Sequence, residues 1–173
     1  MTRSSTARTC KHLLMTPWRV RRCFSRATLD AIDLEIKDAG AAHAGEICFV
    51  VEGALHGAAL YHCQSPRDRA IEVFSRLRLW DTNHRNAVLL YVLLADRAVE
   101  IVADRGAHAK VCVEEWEEVC RAMEAAFKVG RYRVGTLMGI RAIAQHLSAH
   151  FPVSATTASS RAGELSRRPA GPV

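Results

Sequence analysis

Four residues near the middle of the chain have the side chains to hold a hard cation: Asp81, Asn83, Asn86 and Asp104. Two carboxylates with two amides make an oxygen-rich donor set of the kind that takes Ca²⁺ or Mg²⁺. The spacing D-x-N-x-x-N over 81–86 is not that of a helix-loop-helix calcium site, and Gly106 could form the turn after Asp104 without an ion. Asp and Asn in loops also serve simply as turn formers and helix caps. Whether the four converge therefore depends on the elements that carry them.

A second constellation is His62-Cys63-Gln64-Ser65-Pro66-Arg67-Asp68-Arg69, which has the H-C-x5-R spacing of cysteine-dependent phosphatases. That chemistry needs a thiolate in a loop whose backbone N–H groups, with the closing Arg, cradle a phosphate. Here Pro66 removes one N–H, Asp68 puts negative charge where the phosphate belongs, and no glycine eases the turn, so the string argues against itself. His84 and His108 fall near the proposed cation site, as ligands or proton carriers or as plain surface residues. His146 and His150 are four apart on one helix, a metal-compatible spacing without a third ligand. No G-x-x-x-x-G-K-[ST], G-x-G-x-x-G or G-x-S-x-G string occurs, so no organic cofactor and no serine-hydrolase chemistry is expected.

The stretch that must position the candidate site is Asn86–Gly106, NAVLLYVLLADRAVEIVADRG. Its first apolar run, 87–95, lacks helical spacing and is rich in Val, Leu and Tyr, which predicts a strand buried on both faces. The polar pair Asp96-Arg97 predicts a two-residue hairpin turn, though without the usual glycine, followed by a second strand over 98–103. An antiparallel hairpin returns Asp104-Arg105-Gly106 beside Asn86 and gathers polar groups at one rim.

Around this hairpin the pattern predicts a helix over 28–42, with Leu29, Ile32, Ile36 and Ala39 inward, then a central strand over 47–51. Residues 53–64 read as loop. Ser65-Pro66 opens a helix, Ser as N-cap and Pro in its first turn, with Ile71, Phe74 and Leu77 buried. Strand, helix, strand in that order implies a parallel pair joined by a right-handed crossover. A helix burying Trp116, Val119, Cys120, Met123 and Phe127 ends at Gly130, and another runs over 132–150 to Phe151-Pro152. Gly135 and Gly139 on that last helix allow close packing. The fold class is α/β: a three-layer α/β/α sandwich with a small mixed sheet.

Charge divides the chain into three parts. Residues 1–26 hold seven basic and no acidic residues, and 27–152 hold fourteen basic against seventeen acidic. Residues 153–173 have the Ser/Thr/Ala/Pro/Arg composition of a disordered tail. The net charge of +6 thus belongs to the ends, and no nucleic-acid partner is expected for the middle. The segment 1–26 reads as a basic N-terminal arm, with 1–9 disordered and a short helix opening at Thr16-Pro17. It either touches acidic lipid or a protein partner, or packs on its own domain through Trp18 and Phe24. Six cysteines without C-x-x-C spacing read as small buried hydrophobes in a reducing compartment. With no apolar stretch near the ~20 residues of a transmembrane span and no signal-peptide core, a cytoplasmic location is expected, peripheral to the membrane only where the arm touches lipid.

Several of these segments together resemble bacterial proteins of the TPM domain family: WRVRRCF (18–24), the run from Ala70 to Gly106 ending in D-R-G, and EEWEEVCRAMEAAFKVGRYRVG (114–135). The resemblance covers roughly residues 13–152. It implies a compact α/β/α sandwich over 27–152 and a broad functional range, from chloroplast acid phosphatases to metal-binding or membrane-complex accessory domains. In the family Asn is usually followed by Gly at the strand start, where this chain has Ala87. The expectation is a non-catalytic, divalent-cation-binding accessory module using Asp81, Asn83, Asn86 and Asp104. The alternative is a metal-assisted phosphomonoester hydrolase of acid-phosphatase type, with Asp104 and Asp81 holding the ion.

Overall fold

The computed structural model describes residues 3–80 and 85–152. Three strands form one sheet in the order β1-β2-β3: β1 (Glu46–Glu52), β2 (Ala87–Leu93) and β3 (Ala98–Ala103). β1 runs parallel to β2 in the register Glu46↔Ala87 to Glu52↔Leu93, and β3 runs antiparallel to β2 from Val88↔Ala103 to Leu93↔Ala98. The mixed sheet and the hairpin are as expected. The turn is longer than the expected two residues: Leu94 to Arg97 form it, closed by the Arg97 N–H donating to Leu94 O. Arg97 itself takes the left-handed conformation (φ 55°) in place of the missing glycine.

β2 is the central strand, and all seven of its residues are buried. Val88, Leu90 and Val92 face one layer of helices: α3 (Arg26–Ala39), α7 (Val113–Lys128) and α8 (Tyr132–His150). Leu89, Tyr91 and Leu93 face the opposite side, covered by α5 (Pro66–Arg76). This is the α/β/α sandwich. The strand at 47–51, expected to be central, is instead an edge strand. Its successive apolar residues report burial of both faces, Ile47 and Phe49 under one helix layer and Cys48 and Val50 under the other, and carry no information about in-plane neighbours.

Two of the packed helices, α3 and α5, start where side chains cap them. Ser25 Oγ accepts from Thr28 N–H at the head of α3, and Ser65 Oγ accepts from Asp68 N–H at the head of α5. The buried face of α5 consists of Ala70, Val73 and Phe74 with Leu77 half-buried, and Ile71 is exposed. A stripe stepping only by three residues falls behind the helical turn, so 71-74-77 cannot stay on one face. α8 lies so close to α7 that a Cβ on Gly139 would stand 2.2 Å from Met123 Sδ, and one on Gly135 2.8 Å from Ala126 Cβ. The expected burial of Trp116, Val119, Met123 and Phe127 on α7 is observed.

Three further helices differ from expectation. Residues 53–64 are not loop throughout: α4 (Gly57–Tyr61) forms a single turn there. α6 (Arg105–His108) follows β3. α1 (Arg3–Leu13) spans most of the segment expected to be disordered, and α2 (Pro17–Cys23) follows it. Arg8 fixes α1 to the hairpin turn by donating Nε to Asp96 Oδ1 (3.1 Å) and Nη2 to Asp96 Oδ2 (2.7 Å). His12 is buried with it. Leu55 N–H donates to His12 Nδ1 (2.8 Å), so His12 Nε2 is the donor to Asp96 Oδ1 (3.1 Å). Phe24 packs in the core against Phe49, Phe127 and Tyr132, as a packed arm requires, whereas Trp18 is exposed. The expected tail over 153–173 lies outside the described residues.

Candidate cation site at the hairpin rim

The site sits where the hairpin opens. Asp104 N–H donates to Ala87 O (2.8 Å), and Gly106 N–H donates to Arg85 O (2.8 Å). These two bonds extend the β2–β3 ladder past its end and lock Asp104 beside Asn86. Both residues are nearly excluded from solvent, with 2% of Asn86 and 6% of Asp104 exposed. Asp104 Oδ1 accepts from Arg105 N–H (2.7 Å), which starts α6. Asp104 Oδ2 and Asn86 Nδ2 are both buried without a hydrogen-bond partner among the described residues.

That pair is chemically informative. A buried carboxylate oxygen without a donor is costly. Asn86 Nδ2 and Asp104 Oδ2 are complementary, yet neither bonds the other. Gln64 Oε1 and Trp116 Nε1 are likewise buried without partners among the described residues, but each stands alone and neither carries charge. Ala87, in the position the family usually gives to glycine, packs in the cluster beneath α5. Its methyl group therefore belongs to the core.

Of the four expected ligands, Asn86 and Asp104 lie at the same end of the hairpin, with Asp104 opposite Ala87, while Asp81 and Asn83 lie outside the described residues, as does His84. His108 is exposed on α6, its N–H donating to Asp104 O (2.8 Å). Among the described residues no three of His, Cys, Asp or Glu converge as a metal cluster.

The H-C-x5-R string is used structurally. Arg69 donates Nε to Glu52 Oε2 (2.8 Å), Nη2 to Glu52 Oε1 (2.6 Å) and Nη1 to Glu72 Oε1 (2.9 Å), so its whole guanidinium faces carboxylates. Tyr91, on the central strand, donates its hydroxyl to the same Glu52 Oε2 (2.6 Å). Burial works to raise the Glu52 carboxyl, but the hydrogen bonds from Arg69 and Tyr91 outweigh it and hold Glu52 below the usual carboxylate range. Burial and the neighbouring Glu52 together push the Tyr91 phenol up. Asp68 accepts from Ser65 Oγ (2.6 Å), so a carboxylate fills the helix start that a phosphate would need. His146 Nδ1 lies 3.8 Å from Glu115 Oε1 and its ring stacks edge-on against Trp116.

The cysteines divide evenly. Cys10, Cys63 and Cys112 are exposed, which differs from the expected burial, while Cys23, Cys48 and Cys120 are half-buried. Burial pushes the Cys48 thiol up to about 11 and the Cys120 thiol up to about 12, keeping both as inert apolar groups.

The two helix layers, the three-stranded mixed sheet and the Asn–Asp rim at the head of its central strand define a small α/β/α domain class. The TPM domain model matches residues 21–146, well over half of the chain. The chain belongs to the TPM domain family. It is similar to the BA42 protein of the psychrophilic bacterium Bizionia argentinensis, solved by NMR, at 28% identity and a TM-score of 0.66, covering 77% of this chain and 87% of that one. The N-terminal domain of a P. gingivalis protein, also solved by NMR, shares the fold at 16% identity and a TM-score of 0.53, over 75% and 82% of the two chains. No curated protein matches.

Proposed function

We propose that this TPM domain is a non-catalytic module that binds one divalent cation, Ca²⁺ or Mg²⁺, at the hairpin rim. The observation that carries the reading is the Asp104 carboxylate, buried with one oxygen unmatched among the described residues. A divalent cation is a partner that satisfies a buried carboxylate oxygen. Asp104 and the Asn86 amide would be its inner ligands, with Asp81 and Asn83 as the expected additions from the preceding segment. The ion would supply charge neutralisation and tie the start of β2 to the end of β3. A hydrolase would need in addition a nucleophile or a water-activating base at the rim.

Thermal unfolding in Ca²⁺, in Mg²⁺ and in chelator tests the reading. A ligand bound only by the folded state raises stability by about 2.7 kcal/mol at a hundred times its Kd. The wild type should gain that stability with at least one ion, and Asp104→Asn should gain none. Equal unfolding temperatures in all three conditions would overturn the cation site. Metal-dependent hydrolysis of a generic phosphomonoester, lost in Asp104→Asn, would overturn the non-catalytic assignment in favour of a phosphatase.

A further inference from the structure

At the far end of the sheet, around the hairpin turn, the surface is apolar and cationic together. Leu13, Leu14 and Trp18 are 73%, 64% and 67% exposed where α1 turns into α2. Lys11, Arg19, Arg21 and Arg22 are exposed around them, and residues 1–26 contain no carboxylate side chain to neutralise them. Arg22 lies over the Trp18 ring at 5.7 Å, leaving a guanidinium beside an exposed indole. A second piece joins this corner through the core: Phe24, directly after α2, stacks on Tyr132 at 5.8 Å, the first residue of α8. The turn before Tyr132 exposes Val129 (69%) between the exposed cations Lys128 and Arg131. None of Arg19, Arg21, Arg22, Lys128 and Arg131 has a salt bridge among the described residues; the acidic neighbour Asp96 is already taken by Arg8 and His12.

The corner is also held in place. Arg8 and His12 fix one side of it to the hairpin turn, and Val20 packs so tightly on the other that a Cβ on Gly53 would stand 2.6 Å from Val20 Cγ2. Apolar side chains displayed on a fixed corner, rather than folded inward, mark an interaction surface. An indole, two leucines and a ring of arginines fit the lipid–water interface, where Trp sits at the headgroups and cations meet anionic lipid.

We propose that this end of the molecule docks on an anionic lipid bilayer. Leu13, Leu14 and Trp18 enter the headgroup region, and Arg19, Arg21 and Arg22 bind the lipid phosphates and carboxylates around them. The α7–α8 turn adds Lys128, Val129 and Arg131 to the same surface. The surface lies at the opposite end of β2 from the cation site and does not depend on it.

Co-sedimentation of the full chain with vesicles tests the proposal, using phosphatidylcholine alone and with about 30% phosphatidylserine, at low and high salt. The wild type should bind the anionic vesicles and not the neutral ones. Arg19→Glu, Arg21→Glu and Arg22→Glu combined should weaken binding on the order of a hundredfold, since each cation near the surface contributes roughly fivefold. Reversing Lys37, Lys110 and Arg121 instead changes the net charge equally and should leave binding within about threefold, which separates a local patch from overall charge. Leu13→Ser, Leu14→Ser and Trp18→Ser combined, with folding checked by circular dichroism, should weaken binding at least about tenfold and remove what survives high salt. No binding to anionic vesicles overturns the proposal. Binding that heparin abolishes and the serine variant leaves unchanged overturns it too, and assigns the surface to soluble polyanions.

Discussion

The two ends of the β2–β3 hairpin, roughly 20 Å apart, each carry an aspartate withdrawn from solvent, and the two are treated in opposite ways. At the turn, Asp96 receives Arg8 on both oxygens and His12 on one. Nearby, Glu52 receives Arg69 and Tyr91. Each oxygen of these two carboxylates has its donor, and the result is mechanical: a helix is fastened and a central strand is tied to its neighbours. At the rim, Asp104 spends one oxygen on Arg105 N–H and keeps the other unmatched among the described residues. Saturated polar groups hold a fold together, whereas an unsaturated one in the same sheet is where a ligand has something to gain.

The comparison can be broken most directly at the saturated end. Asp96→Ala leaves Arg8 and His12 facing no acceptor and should cost about 3 kcal/mol, read as a lowered urea midpoint. A loss under about 0.5 kcal/mol would show that the clamp is only a surface pair. Acid should reach the same end next. Burial works to raise the Asp96 carboxyl, but the hydrogen bonds and charges of Arg8 and His12 hold it low, and Glu52 is low as well. Carboxyls depressed in the folded state contribute stability above their unfolded pKa of about 4 and lose it as pH falls through their folded values. Unfolding free energy should therefore drop below about pH 4, by up to roughly 1.4 kcal/mol per pH unit for each proton taken up. Asp96→Asn should flatten that slope, and an unchanged slope would count against the pairing. The smallest effect belongs to the rim: in chelator, Asp104→Asn keeps the cap on Arg105 N–H and removes a buried charge, so stability should move by less than about 1 kcal/mol in either direction. A loss as large as that of Asp96→Ala would erase the contrast between the two ends.

How far each feature was legible follows from how local its cause is. The β2–β3 hairpin and its closing rim stood in the residues, because an unbroken apolar run has one economical home, a strand covered on both sides. The ends of α7 and α8 were legible too, since Gly130 (φ 77°) and Phe151-Pro152 stop a helix by backbone chemistry. The edge position of β1 was not, because side-chain pattern reports faces and is silent about neighbours in the plane. α1 was hidden by its Ser/Thr-rich composition; what orders it is Asp96, 88 residues beyond Arg8. Only half of the candidate site lies among the described residues, Asn86 at the start of β2 and Asp104 at the end of β3, joined through backbone bonds of their neighbours. That Asp104 keeps an unmatched oxygen depends on three-dimensional packing, and no spacing in the chain announces it.

The clamp between α1 and the hairpin turn also sets an order of events. Arg8 and His12 cannot be secured until residue 96 has been made and the hairpin around it has closed, so a segment near the start of the chain is among the last to dock. Closing so long a loop carries a large entropy cost for a handful of polar bonds. The same arithmetic runs backwards during opening: α1 should detach before the sheet loosens and exchange its amide hydrogens sooner than β2, as a separate and weaker cooperative unit. A protein built this way has a hard interior that folds early, and an outer helix that docks late.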